Sequence, residues 1–244
     1  MSSFDGRVAV VTGGTRGIGF ATAAALAGAG ATVVITGRDA EVAAARAAEL
    51  GPRVSGVALD VTDSAAVKDV FKAVAKQHGR IDVLVASAGV LEGGLIGMLT
   101  DDHIGTTLAT NVAGTITCVQ AAARAMMRKR SGSIVLLGSV VGERGNAGQT
   151  VYAASKAALS ATAKSAAKEL GRHGIRVNAV APGVIRTDLI DGQSAEVLAK
   201  VEADTALGRL GTAEEVAAVI RFLAGDDASF VTGQVLGIDG GLVL

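Results

Sequence analysis

Seven short apolar runs recur along the chain, most of them separated by an Ala-rich stretch of helical period, and this alternation limits the fold more than any other feature. The runs cover 7–12, 32–36, 54–59, 81–86, 133–138, 176–180 and 234–238, and they read as continuous aliphatic stretches rather than as alternating apolar and polar residues. Strands of that kind are buried on both faces, which happens where helical crossovers cover a parallel sheet. The periodic segments at 17–29, 39–50, 63–78, 101–130, 150–173 and 212–224 supply those crossovers.

Right-handed βαβ connections place helices on both faces, so the expected class is α/β: an open, doubly wound Rossmann fold with a seven-stranded, mostly parallel sheet. Aromatic residues are only 2% of the chain, with no Trp and a single Tyr, so Ala, Val, Leu and Ile must fill the core at close helix–sheet distances. No linker or composition shift divides 1–244, and the two prolines, Pro52 and Pro182, are far apart; one domain is expected. The stretch 187–207 breaks the alternation, is rich in charge and has weak periodicity, which marks it as a substrate lid.

Lys plus Arg (23) balance Asp plus Glu (23), so the chain has no long-range pull toward nucleic acid or an anionic membrane. No apolar run approaches the ~18 residues of a membrane span, and the first residues lack a secretory signal. Cys118 is the one cysteine, which precludes an intrachain disulfide, and neither CxxC nor HExxH occurs. A cytoplasmic protein without a metal is expected, its ligand small or locally docked.

The first strand runs straight into Thr12-Gly13-Gly14-Thr15-Arg16-Gly17-Ile18-Gly19, and a helical segment follows. A pyrophosphate needs backbone N–H groups at a helix N-terminus with no Cβ in the way, which this turn offers. At the tip of the second strand, where an acid would hold a ribose 2′-hydroxyl, the chain reads Gly37-Arg38-Asp39. Arg38 together with Arg16 can fork a 2′-phosphate, favouring NADP(H) over NAD(H); alternatively Asp39 binds ribose or caps the next helix while Arg38 is solvated.

Tyr152 and Lys156 stand four apart on a helical segment and so share a face. To serve as an acid or base near neutrality a phenol's pKa of about 10 must come down by about 2 to 3, and one lysine charge at ~6 Å is worth about 2.8 kcal/mol at an effective dielectric of ~20. The pair is also compatible with an ordinary surface contact. Ser139 directly follows the fifth strand, where open α/β sheets bind ligands, and its hydroxyl can donate to a carbonyl oxygen that gains charge; a plain turn serine is the other reading.

These residues identify the chain as a member of the short-chain dehydrogenase/reductase family, which it resembles over its whole length. The resemblance is carried by Thr12 to Gly19, Ser139, the Tyr152/Lys156 pair, Pro182-Gly183, Val231-Thr232-Gly233-Gln234 and Asp239-Gly240-Gly241. Within the family it is similar to reductases of 3-oxoacyl thioesters held on acyl-carrier protein, through Ala125-Met126-Met127-Arg128-Lys129-Arg130, Gly138-Ser139-Val140-Val141-Gly142 and Gly145-Asn146-Ala147-Gly148-Gln149.

The resemblance implies that Tyr152 protonates the carbonyl oxygen, that Lys156 tunes it and holds the nicotinamide ribose, and that Ser139 polarises the carbonyl. Asn111 would position a water connecting Lys156 to solvent. The cofactor would lie along Gly13, Thr15, Arg16, Gly17, Ile18, Gly19 and Arg38, with Asp60 and Val61 at the adenine, Ala88 and Gly89 beside it, and Pro182, Gly183, Ile185 and Thr187 around the carboxamide. Asp60 could equally cap the next helix. Gln149 and the basic residues Arg128, Arg130 and Arg172 would face substrate or an acidic carrier, and four copies would assemble through two long helices and the C-terminal segment. One departure is plain: the family's Asn-Asn-Ala-Gly after strand four reads Ala86-Ser87-Ala88-Gly89 here, so the amide side chains that tie this turn to its neighbours are missing.

Overall fold

A computed structural model describes residues 3–190, 192 and 194–242. Asp191 of the expected lid and the last two apolar residues, Val243 and Leu244, lie outside the described residues. The apolar runs form β1 (Val8–Thr12), β2 (Thr32–Gly37), β3 (Val54–Ala58), β4 (Val83–Ala86), β5 (Gly132–Leu137), β6 (Ile175–Pro182) and, later in the chain, β9 (Val235–Ile238). They make one sheet in the order β3-β2-β1-β4-β5-β6-β9, with every pairing parallel.

Each strand splits its side chains between two cores, as a period of two demands. Val10, Val34, Leu84, Ile134 and Val177 point to one face, where α3 (Ser64–His78) brings Phe71, α5 (Thr115–Lys129) brings Cys118 and Met126, and α7 (Thr150–Leu170) brings Leu159. Ala9, Val11, Val33, Ile35, Val85 and Val135 point to the other, where α1 (Gly17–Gly28) supplies Leu26, α2 (Ala40–Glu49) Ala47, and α9 (Ala213–Ala224) Ile220 and Leu223. Burial of Cys118 pushes its thiol up to about 12.

Small residues let the layers approach closely. A Cβ built on Gly56 of β3 would lie 2.1 Å from the Ala43 carbonyl of α2, and one on Gly132 would lie 2.4 Å from Met126 Sδ. Glycine at these places is therefore a packing requirement.

The expected single helix over 101–130 is instead two, α4 (Asp101–Leu108) and α5, joined by a π-helical turn over Ala109–Gly114. Gly114 sits against Val61, where a Cβ would come within 2.8 Å, so the widened turn lets the helix hug the end of β3. Two further helices were not legible: α6 (Val141–Arg144) and, within 187–207, α8 (Ala195–Ala203), capped by the Ser194 hydroxyl. The stretch 187–207 leaves and rejoins the body at β7 (Ile185–Arg186) and β8 (Gly211–Thr212), a separate two-stranded parallel sheet that staples its base. Replacing Gly56 with Ala should push α2 off the sheet and cost about 1–3 kcal/mol. Urea unfolding with an unchanged midpoint would show that α2 yields without strain.

Candidate active site

A cleft of about 1110 Å³ opens along the carboxyl ends of the strands and is lined by the glycine turn, Arg38, Asp60, Val61, Ala88, Gly89, Tyr152, Lys156 and Thr187. Gly13 and Gly17 adopt left-handed φ of 65° and 51°. A Cβ on Gly13 would meet the Ala88 backbone at 2.7 Å, and one on Gly19 would meet the Gly13 carbonyl at 2.3 Å. Ile18 packs behind them on the core. No side chain caps α1, which leaves its N-terminal amides facing the cleft. These residues fit a dinucleotide pyrophosphate: a bare backbone cradle on a helix N-terminus.

Arg46 of α2, not singled out in the sequence, holds this cradle. Its Nε donates to the Thr15 carbonyl at 3.0 Å while its guanidinium stacks 3.9 Å from the Phe20 ring centroid. At the β2 tip Asp39 takes the capping role. Asp39 Oδ1 accepts from the Glu41 and Val42 amides at 2.8 and 2.9 Å, so it caps α2, and Arg38 is exposed at the rim of the cleft, as is Arg16. Among the described residues neither arginine is in an ion pair. Asp60 does not cap α3, a task Asp63 performs; its carboxylate accepts from the Thr62 hydroxyl and amide, which together with nearby Arg38 hold it below the ordinary carboxylate range.

The turn after β4 lacks its amide side chains but is held in other ways. Thr12 takes the Ser87 amide on its carbonyl at 3.2 Å and the Ala88 amide on Oγ1 at 3.4 Å. Asn111, fully buried in the π-helical turn, accepts from the Val90 amide at 2.8 Å and donates to the Val90 carbonyl at 2.9 Å. Its Nδ2 also donates to Ser155 Oγ at 3.0 Å, and Ser155 donates onward to the Tyr152 carbonyl at 2.7 Å. The Asn111 side chain is thus bound to protein at both ends rather than locally within its helix. Ser155 was missed in the sequence, although its spacing of three from Tyr152 puts it on the same helical flank.

Tyr152 and Lys156 are both buried, 8% and 5% exposed, on α7. Lys156 Nζ donates to the Leu137 carbonyl at 2.7 Å and lies 5.5 Å from the Tyr152 ring centroid. Burial lowers this ammonium to about 8. The expectation that a cation would bring the phenol down is corrected: burial raises Tyr152 above its ordinary value, and the Ser139 hydroxyl beside it only partly offsets this. Gly142 explains how Ser139 comes so near, because α6 lies against α7 where a Cβ would sit 2.8 Å from the Lys156 carbonyl carbon.

Pro182 ends β6 and its carbonyl accepts from the Val140 amide at 3.0 Å, while the Gly183 amide donates to Ile238 at 3.0 Å. Ile185 is buried, and Thr187 reaches across to Gly17 at the near-contact distance of 3.4 Å from its would-be Cβ. Gln149 is the N-cap residue of α7 and forms an isolated parallel bridge with Gly94, and neither residue lines the cleft. Arg128, Arg130 and Arg172 are brought together, with Arg130 donating to the Arg172 carbonyl at 2.7 Å, but at the carboxyl ends of α5 and α7, next to the starts of β5 and β6. They therefore stand on the edge of the sheet opposite the cleft. Among the described residues no helix is long and apolar enough to cross a membrane, and no cluster of metal-ligating side chains occurs.

A doubly wound sheet with a bare phosphate cradle, and with a serine, a tyrosine and a lysine meeting at its crevice, defines an oxidoreductase class, and comparison with known proteins agrees: the chain belongs to the short-chain dehydrogenase/reductase family. The matching family model, described as enoyl-(acyl carrier protein) reductase, spans residues 13–243. More particularly, the chain is 43% identical over 246 residues to the 3-oxoacyl-[acyl-carrier-protein] reductase FabG of Salmonella typhimurium, covering 99% of both chains. It is 42% identical to the FabG of Thermotoga maritima over 98% of this chain and 99% of that one. The crystal structure of gox2181 superposes with a TM-score of 0.95 at 39% identity, over 98% of this chain and 96% of the other.

The depressed Lys156 has a consequence for stability. Between pH 8 and 10.5 the unfolded chain holds this proton and the folded chain does not, so stability from this group rises with pH across that window. The thermal midpoint of the wild type should climb relative to Lys156→Met from pH 8 to 10; a constant difference would mean that the ammonium is not depressed.

Proposed function

We propose that the protein reduces the ketone of a 3-oxoacyl thioester to the 3-hydroxyacyl thioester with NADPH. The observation that carries this is the convergence of Ser139, Tyr152 and Lys156 at the crevice beside the phosphate cradle, in a chain aligned end to end with 3-oxoacyl reductases. NADPH would be held by the glycine turn, Arg16, Arg38, Asp60, Val61, Ala88, Gly89, Pro182, Gly183, Ile185 and Thr187, and when bound it supplies the hydride. Arg16 and Arg38 would take a 2′-phosphate, which only the phosphorylated cofactor has, while Asp39 is engaged through Oδ1 in capping α2.

Tyr152 gives its phenolic proton to the ketone oxygen as charge builds there, and Ser139 donates a hydrogen bond to the same oxygen. Tyr152 carries its proton at neutral pH, as a proton donor to the ketone oxygen must. Lys156, titrating near neutrality and within the same buried pocket, restores the proton, and Asn111 keeps its surroundings in place through Val90 and Ser155. Another ketone or alcohol, a sugar, steroid or polyketide, is the alternative substrate class.

Steady-state turnover of a short 3-oxoacyl thioester tests the reading, with an enoyl thioester as the control. NADPH should be oxidised with the ketone and preferred to NADH. Tyr152→Phe should lower kcat by about 10²–10⁴ with NADPH binding retained, and Arg38→Ala should raise the KM for NADPH by about tenfold or more and leave that for NADH unchanged. Turnover of the enoyl thioester alone, or full activity in Tyr152→Phe, would overturn it.

We further propose a homotetramer. Phe222, Phe230 and Leu236 are exposed around α9 and the edge strand β9, and Leu108 and Ile116 are exposed along α4 and α5, two separate apolar surfaces. Copies paired antiparallel through α5 and α7 would bring the Arg128, Arg130 and Arg172 patch of one beside the cleft of another, where an acidic acyl-carrier protein can dock. Light scattering should give about four times the chain's 24.1 kDa; a monomer at micromolar concentration would refute the assembly.

A further inference from the structure

Immediately after Ser139 the chain winds into the single turn of α6. The Val141 amide donates to Ser139 Oγ at 3.3 Å, the Gly142 amide to the Ser139 carbonyl at 3.0 Å and the Arg144 amide to the Val140 carbonyl at 3.0 Å. So short a helix does not hold itself. Its far end is fixed from outside, because the Arg144 guanidinium reaches the C-terminal turn, Nη1 donating to the Leu242 carbonyl and Nη2 to Asp239 Oδ2 at 3.2 Å. Asp239 is locked in turn: its Oδ1 accepts from the Gly241 amide at 3.0 Å, and its backbone fills the space beside Gly183, where a Cβ would lie 2.9 Å from Asp239 Cα.

The same turn seats the lid. The Leu207 amide donates to the Gly240 carbonyl at 3.1 Å, and Thr205 bridges antiparallel to Leu242. Gly240 and Gly241, at φ of 60° and 75°, leave room for Thr205 and Ala206, which a Cβ would meet at 2.9 and 2.8 Å. Beneath lies a small core in which Val140, Ala181 and Leu242 are buried, with Val141, Val184 and Val201 of α8 packed against it. The serine turn, the end of β6, the lid helix and the C-terminal turn therefore meet at one place.

We propose that Arg144 is a positioning residue that couples the lid to Ser139: by clamping Asp239 and Leu242 it makes the serine turn and the base of the lid one mechanical unit. The role of Ser139 rests on the function proposed above, but the coupling itself does not. Arg144 is 43% exposed and Asp239 18%, so the ion pair adds little to stability by itself and its effect is on placement.

Hydrogen exchange on the full chain, read by mass spectrometry, tests the coupling without any substrate. In Arg144→Ala, amides of both Val141–Arg144 and Ala195–Ala203 should exchange about tenfold faster or more, with β1 and β2 unchanged. Under turnover, kcat/KM for the ketone should fall about tenfold or more while the NADPH dissociation constant stays within about twofold. Arg144→Ala/Asp239→Ala should be no worse than Arg144→Ala, and Arg144→Lys, which keeps a charge and a donor, should recover part of the loss. Unchanged lid exchange, additive losses in the double variant, or faster exchange throughout the sheet would overturn the proposal. Should Arg144→Ala not fold, Arg144→Lys carries the same exchange comparison against wild type. A wild type that turns over no 3-oxoacyl thioester would defeat the proposed substrate and leave the exchange result to decide the coupling.

Discussion

All seven strands of the main sheet run in one direction, and this places every strand's carboxyl end on a single edge. From β1 the chain moves outward one way through β2 and β3, then returns to β4 on the other side of β1 and moves outward the other way. The crossovers part at that reversal and leave a crevice. Residues far apart in sequence are thereby set in a row: the glycine turn after β1, Arg38 after β2, Asp60 after β3, Ala88 and Gly89 after β4, Ser139 after β5 and Gly183 after β6. The half built from β1 to β3 offers bare backbone and arginines, suited to a long anionic ligand. The half built from β4 to β6 offers a hydroxyl, a phenol and an ammonium, suited to moving a proton.

The chemistry depends on how little water reaches those groups. Among the described residues Lys156 has no carboxylate partner and is satisfied by the Leu137 carbonyl, an acceptor that carries no charge and so leaves the ammonium easy to deprotonate. Tyr152 sits in the same low-dielectric pocket and holds its proton more tightly for the same reason. One desolvated environment thus moves an acid up and a base down, and because a phenol and an ammonium ordinarily titrate close together, it drives the two titrations apart. The small side chains of the chain make this possible, since α6 and α7 touch at Gly142 without an intervening Cβ.

The sequence showed well those features whose signal is local. Strand positions followed from unbroken aliphatic runs, the cradle from glycines between a strand and a helix, and the Tyr152/Lys156 face from a spacing of four. What stayed hidden depended on contacts across the chain. Helical period continues through 109–114, so nothing local marks the π-helical turn that aims Asn111 at Val90. The helix α6 and the strands β7 and β8 are too short to have a period, and α8 buries none of its residues and so needs no apolar stripe. Arg46 resembles any surface arginine until Thr15, 31 residues earlier, is beside it, and Arg144 finds Asp239 only across 95 residues. Spacing gives the nearness of Tyr152 to Lys156 but not the depth at which both are buried, and burial sets the direction of the Tyr152 shift.

Cys118 lies under α5 with its thiol raised to about 12, so that at neutral pH only about one molecule in 10⁵ carries the thiolate. It is also the sole cysteine in the chain. The native protein is therefore silent toward maleimides and other thiol-directed reagents while folded. A cysteine introduced at an exposed position of the lid or of α5 would be the one addressable thiol per copy, so that a fluorophore or spin label could report lid position or the spacing between copies with no background to remove.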